Sequence, residues 1–388
     1  MWPRAFLDDP GGADDGDEMN YGDTGKRRKG QAGIQVAFFE KSRDGAKLRM
    51  EYRKRMAPDY QPPISKDPKA PIVVLEEPDA LLNRAVDAYR EALRLYTEEV
   101  DLDAQNPSFV CGAQQNLGVA LMEANCCLEA RTYLLQAEDT SNTNGLSTSQ
   151  NHCALCENLC GVYAKLKDWK AAEEYARKAV EFDPNQGSLQ LEGVGVSKLL
   201  TRQARHAFML MMAGLWEEAN VTSSIVFDQS RGHNCIKRRA RMMLVRSVST
   251  IELAMQVRDA TMLDQGEGEL IQCIATTKRA HGKHSMEAAD VTELVAMFMG
   301  GVRYDYDSAE RYALQAVRSR EHGLLEQLEE ERNPTVKGGE KKIVQIKPLP
   351  YDQDPRLQTL MEDSVSLLKN VQQKKFLTPW RFLVWKGT

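Results

Sequence analysis

The residues best suited to chemistry are His152, Cys153, Cys156 and Cys160, because a Cys-x2-Cys beside a histidine is how many zinc sites begin. A closed zinc site needs four ligands, and no second Cys-x2-Cys pairs with this one. Cys156 and Cys160 stand one helical turn apart, on one face of a helix. A free cysteine behaves as a small hydrophobe, so we read these thiols as core residues and expect no metal. The adjacent Cys126 and Cys127 read as an interhelical turn, packed rather than redox-active. His281 and His284, in His-Gly-Lys-His, read as loop residues, and His206 as packed or hydrogen-bonded on its own helix. Gly193-Val-Gly195 lacks the strand and the third glycine of a nucleotide fingerprint. Gly-x-Ser-x-Gly, His-Glu-x-x-His and the calcium-loop pattern are all absent from the sequence. No catalytic residue and no cofactor is expected.

Composition points the same way. Apolar residues make up 42% and aromatics 7% of the chain, which favours packed helices over a β-sandwich or barrel. The formal net charge of −5 gives no basic footprint for nucleic acid, and no nucleic-acid partner is expected. The N-terminus, MWPRAFLDDPGG, carries no apolar core of a leader and soon turns acidic. The longest apolar run, Ala207 to Ala213, is far short of a membrane span. Eight cysteines in such a chain point to reduced thiols and a cytoplasmic setting. Lys26-Arg-Arg-Lys29 offers a nuclear alternative, and a cilium or cytoskeletal association is a third.

The elements that position these residues are helical. Residues 1–75 are rich in Gly, Asp, Pro, Lys and Arg and read as an irregular arm, with one short helix around Lys41–Met56. From Asp79, Leu82, Val86, Tyr89, Leu93 and Tyr96 recur at helical steps. This reading continues over 79–332. A Gly/Lys/Pro-rich linker follows at 333–353, then a helix and an aromatic tail over 354–388.

An internal repeat decides the fold. NLGVALMEANCCLEARTYLLQA begins at Asn116, and NLCGVYAKLKDWKAAEEYARKA begins at Asn158. Each carries a small residue (Gly118, Cys160), then a large one (Leu121, Tyr163), then alanines seven apart: Ala130/Ala137 and Ala172/Ala179. Small residues on successive turns let two helix backbones approach closely. Ala219/Val226 and Ala309/Ala316 mark weaker copies, with Trp169, Trp216 and Tyr306 at the turn. Ala85, Tyr89 and Ala92 suit the second helix of a leading half-repeat, since Pro68 and Pro71 forbid a first helix just before it. A divergent pair is expected as a helix from about Cys235, then Glu267–Ala280.

This pattern resembles the tetratricopeptide repeat (TPR), a 34-residue helix–turn–helix. HGKHSMEAADVTELVAMF is also loosely similar to the longer variant in kinesin light chains. The resemblance implies an all-α, α-α superhelix, a TPR-like solenoid whose stacked pairs form a groove. It implies a non-catalytic adaptor or a structural subunit of a multi-protein complex, holding a peptide or helix of another protein. On that mapping Asn116, Asn158, Lys165 and Arg205 face the groove. Some TPR domains clamp a chaperone's C-terminal carboxylates. The matching positions here are Gln115, Val119, Asn158, Thr201 and Arg205, of which only Asn158 and Arg205 agree. A chaperone-associated protein and a regulatory enzyme component using His206, His281 or His284 are the alternatives. Trp380, Phe382 and Trp385 form a tail that either caps the last repeats or anchors in another protein. Lys237, Arg238, Arg239, Arg241 and Arg246 crowd one helix as a solvated basic face, with an acidic partner as the alternative for Arg238, Arg241 and Arg246.

Overall fold

The computed structural model describes residues 29–56, 77–100, 105–146, 150–184, 194–230, 236–332 and 365–373. Every described element is helical. They fall into two compact units, whose described parts are 29–184 and 194–373, so the expected 79–332 array divides internally.

The first unit holds α1 (Lys29–Met56), α2 (Pro78–Glu99), α3 (Pro107–Glu123), α4 (Cys127–Thr143), α5 (Gln150–Lys165) and α6 (Trp169–Glu181). α1 packs on α2, α3 on α4 and α5 on α6. α2 also touches α3, and α4 touches α5, so the pairs stack in chain order. The second unit holds α7 (Val194–Met212), α8 (Trp216–Gln229), α9 (Ile236–Val257), α10 (Ala260–His281), α11 (Met286–Phe298) and α12 (Tyr306–Arg332), paired in the same order.

The repeat alanines do what close packing requires. Ala130, Ala137, Ala172, Ala179, Ala219, Ala309 and Ala316 are all buried, as is Val226. A Cβ added at Gly118 of α3 would lie 2.6 Å from Leu134 Cγ of α4, so only glycine permits that crossing. The same crossing recurs in α1 and α2, where a Cβ at Gly45 would lie 2.9 Å from the Tyr89 ring. The leading half-repeat is therefore a full pair, a correction to the expectation. Pro68 and Pro71 exclude a helix immediately before α2, but the chain supplies its partner from further upstream.

α1 itself begins at Lys29, twelve residues ahead of the expected start at 41, inside a stretch read as irregular. Tertiary contact overrides its weak local signal. Phe38 is buried against Tyr96, their ring centroids 4.6 Å apart, within a cluster holding Val100, Ala113 and Phe109. Burial of an aromatic this size contributes about 3 kcal/mol, which a 28-residue helix of mean polar character could not supply alone. The rest of the 1–75 arm lies outside the described residues.

The turns inside the three pairs from α3 to α8 and in the α9–α10 pair share one geometry. Asn125, Lys167, Gly214 and Arg258 adopt left-handed φ of 60°, 62°, 80° and 59°. After each, Cys126, Asp168, Leu215 and Asp259 donate an N–H to a carbonyl five residues back, at 2.9 Å in every case. This is a Schellman closure that satisfies the helix-end carbonyls. In the last pair a π-helical turn, Met299–Arg303, adds a residue. Asp305 then reaches six back, to Met299, after left-handed Tyr304.

The divergent pair is regular. α10 begins at Ala260, seven residues before the expected Glu267. Gly266 lies inside this helix, and a Cβ there would lie 2.7 Å from Ile251 Cγ1 of α9. The crossing is that of Gly118 with the partners exchanged, the glycine now on the second helix. Residues 365–372 are helical, with Leu367 and Val371 buried and Gln372 Nε2 donating to Glu310 Oε1 of α12 at 2.9 Å. Residues 354–364 of the expected helix, the linker and Trp380, Phe382 and Trp385 lie outside the described residues, as do Lys26–Arg28.

Candidate functional site

The thiols are core residues. Cys153, Cys156 and Cys160 are fully buried. Cys111 and Cys153, matched across the repeat, donate their thiols to the carbonyls of Ala137 and Ala179 at 3.4 and 3.2 Å. Burial pushes the Cys156 thiol up to about 12, so it stays protonated at neutral pH. Cys273 is likewise pushed up to about 12 and bonds the Ala240 carbonyl. No group of three or more His, Cys, Asp or Glu among the described residues is arranged to hold a metal. Cys126 is exposed and Cys127 half-buried, at the α3–α4 turn as expected.

The histidines are structural. His152 is buried beside Ser141 Oγ (3.2 Å to Nδ1), its ring edge-on to Phe182 at 4.7 Å. Burial holds this imidazole below its ordinary pKa, and so neutral. His281 Nδ1 lies 3.2 Å from Glu287 Oε1, and His284 stacks on His322 with centroids 4.2 Å apart. His281 ends α10 where a loop was expected, and both histidines are engaged within the fold. His206 is half-buried on α7, a packed position.

Within the basic cluster on α9 Lys237 is exposed, but Arg238, Arg239 and Arg246 are turned inward. Arg238 is buried and donates to Thr201 Oγ1 at 2.8 Å. Arg246 pairs with Glu269 at 3.0 Å. Arg239 and Arg246 each place a guanidinium over the Phe227 ring, at 4.8 and 4.9 Å. The expected solvated face is corrected accordingly: apolar stems and a cation-receptive ring recruit these arginines into the α8–α9 packing.

Three of the four residues assigned to the groove lie in the first unit. Asn116 of α3 and Asn158 of α5 occupy the same repeat position, 42 residues apart. Both are half-buried, and neither carboxamide makes a hydrogen bond among the described residues. Beside them Gln115 is likewise unbonded, and Gly112, Ala154 and Gly161 keep the neighbouring positions small. α3 and α5 are adjacent, since Lys165 Nζ donates to the Met122 carbonyl at 3.0 Å. That carbonyl lies at the end of α3, where the helix dipole favours a cation. A charge-assisted bond of this kind is worth about 1.5–3 kcal/mol, so Lys165 fixes the α3–α5 contact. Arg205 of α7 is half-buried and belongs to the second unit.

An arginine pair lay outside the sequence reading. Arg49 grips Glu123 through Nε and Nη2 at 2.7 and 3.1 Å, and Arg53 adds Nη2 at 2.7 Å, so α1 is tied to the end of α3. Their four-residue spacing places both on one face, which was the available signal.

By this geometry the chain is a TPR-like helical-repeat protein. No family model matches it, and no curated protein matches it. Among solved structures it is similar to BtubC (BKLC) from P. vanneervenii at 15% identity and TM-score 0.41, covering 63% of this chain and 91% of that one. It is similar to a putative kinesin light chain with nearly identical TPR-like repeats from Podosopora anserina at 15% identity and TM-score 0.43, covering 61% and 96%. A circular tandem repeat protein aligns at 13% identity and TM-score 0.25, covering 89% and 83%.

Proposed function

We propose that this chain is a non-catalytic scaffold that holds segments of other proteins, as an adaptor or a structural subunit of a larger assembly. The carrying observation is the matched pair of unbonded carboxamides, Asn116 and Asn158, on adjacent first helices. A carboxamide both donates and accepts, so two at a fixed spacing suit the alternating N–H and C=O groups of a peptide backbone. Gly112 and Ala154 stand one turn before them and keep those neighbouring positions small. Lys165 beside them, Arg205 of the second unit by itself, and Trp380, Phe382 and Trp385 of the tail are further contacts for the partner. Thr201, one of the clamp positions, accepts from Arg238, and no observation favours the chaperone or enzyme-component alternatives. The described cysteines are all free thiols, which supports a reducing compartment, and we place the protein in the cytoplasm. No helix among the described residues is long and apolar enough to cross a membrane.

The test is affinity capture of the full chain and of an N116A/N158A double variant under native conditions. The expected result is a set of co-purifying proteins that the variant loses while its melting temperature is unchanged. Recovery of the free monomer alone, or of the same set by both, overturns the proposal.

A further inference from the structure

Two first helices of the second unit carry charge of one sign. α7 holds Lys198, Arg202 and Arg205 and no carboxylate. α9 holds Lys237, Arg238, Arg239, Arg241 and Arg246 and a single carboxylate, Glu252. The two helices touch, and Arg238 Nη2 donates to Thr201 Oγ1 across them at 2.8 Å. That bond fixes which faces meet. Lys198, Arg202 and Arg205, at i, i+4 and i+7, share the side of α7 that carries Thr201, and Arg241 follows Arg238 by one turn on α9. These residues line one seam, with Lys237 exposed at its edge.

The neighbouring acids do not balance the seam. Arg239 and Arg246 lie over Phe227 of α8, and Arg246 takes Glu269 of α10. Glu252 lies eleven residues beyond Arg241, about 16 Å along the helix. The acids of α8, Glu217, Glu218 and Asp228, are exposed. The surplus stands whatever each cation touches: residues 185–257 carry nine Lys and Arg against five Asp and Glu, in a chain whose formal charge is −5. Lys198, Arg202, Arg205 and Arg241 are half-buried, where like charges repel more strongly than in water. An anionic chain laid along the seam relieves that repulsion.

The sequence supplies such a chain. Residues 8–23, from Asp8 to Asp23, hold seven carboxylates and no Lys or Arg. We propose that this acidic segment occupies the α7–α9 seam of its own chain, as a built-in ligand that an acidic partner must displace. Tethering raises its effective concentration, so a weak, salt-sensitive contact suffices. The carboxamides of Asn116 and Asn158 play no part in it. Nucleic acid suits the seam less well, because Phe208, the only Phe, Tyr or Trp on these two helices, is buried and offers bases no ring to stack on.

The experiment uses the full chain. A carbodiimide joins a carboxylate to a lysine amine in contact with it, forming an amide while the carbodiimide takes up the water. Brief treatment of dilute wild type, followed by peptide mapping, should give links from residues 8–23 to Lys198 or Lys237 well in excess of links to other lysines. They should be lost in about 0.5 M salt, and a mixture of isotope-labelled and unlabelled chains should link only within one isotope. Links spread evenly over the lysines, or found only between labelled and unlabelled copies, overturn the proposal. A second measurement uses a fluorescent peptide of residues 6–23. A chain carrying D8N, D9N, D14N, D15N, D17N and E18Q, all ahead of α1, should bind it about tenfold more tightly than wild type, since its own segment no longer competes. R205E/R241E in that background should abolish binding. Equal affinity for both chains, no binding to the neutralised chain, or full binding after R205E/R241E overturns the proposal. Peptide binding without native links assigns the seam to an acidic segment of another protein and also overturns it. If R205E/R241E does not fold, the links and the affinity comparison decide.

Discussion

Gly118 of α3 and Leu134 of α4 meet so closely that no side chain fits between them. The second copy solves the same crossing with the sizes exchanged, placing Cys160 and Ala176 at the corresponding positions, both buried. The first copy fills the crossing from α4 alone, the second from both helices. Overpacking a crossing of this kind costs about 1–3 kcal/mol. G118A should therefore lower stability by that amount in denaturant melts, without changing helix content. G118C/L134A, which copies the second repeat, should recover much of what G118C alone loses, and a double-mutant cycle reads the coupling directly.

The attachment of α1 rests on two separable contacts. F38A empties an aromatic site and should cost about 3–5 kcal/mol. E123A leaves Arg49 and Arg53 without their shared carboxylate and should cost about 2 kcal/mol. In both variants limited proteolysis should cut within α1 well before the repeats that follow. Equal cleavage rates in wild type and variants would show that α1 is not held by these groups.

Much of the fold was legible in the sequence, and the misses share a physical cause. Ala130/Ala137 and Ala172/Ala179 announced the helix crossings because small residues one face apart have few other uses. Gly45 and Gly266 carried no message in the sequence, since a glycine within a helix has no side chain whose partner could be guessed. Here each is the small partner of a large side chain, Tyr89 or Ile251, from a distant part of the chain. The left-handed turn residues Lys167, Arg258 and Tyr304 gave no signal, being types that rarely adopt that conformation. At the candidate site, repeat register found Asn116 and Asn158. That Lys165 is engaged was not legible, because its partner is the Met122 backbone carbonyl, which every residue possesses.

Burial of His152 makes the stability of the first unit depend on pH. Its imidazole is held below the ordinary histidine value by burial, so the folded state resists taking a proton that the unfolded chain accepts near 6.5. The stability it contributes is complete above that value and is lost as pH falls below it. Melts between pH 7.5 and 5 should show the first unit weakening, and H152N should flatten this dependence while keeping a hydrogen bond available to Ser141. A slope retained in H152N would assign it to another group.

Thiol chemistry separates packing from redox or metal roles. Cys111, Cys153, Cys156, Cys160 and Cys273 are buried, and Cys156 and Cys273 are pushed up to about 12, so almost none of these two is thiolate at neutral pH. Cys126 alone among the described cysteines is exposed, with half-buried Cys127 beside it on the α3–α4 turn. Brief alkylation of the native chain at pH 7.5, followed by peptide mapping, should therefore label Cys126 first and Cys127 more slowly. The five buried thiols should react only in denaturant, at a rate set by unfolding. Addition of a strong zinc chelator should change neither the pattern nor the melting temperature, since the Cys153 thiol is spent on the Ala179 carbonyl and Cys156 on the core. Rapid native labelling of Cys156 or Cys160 would contradict their placement between the helices. Chelator-induced labelling of the same residues would return them to the role of ligands.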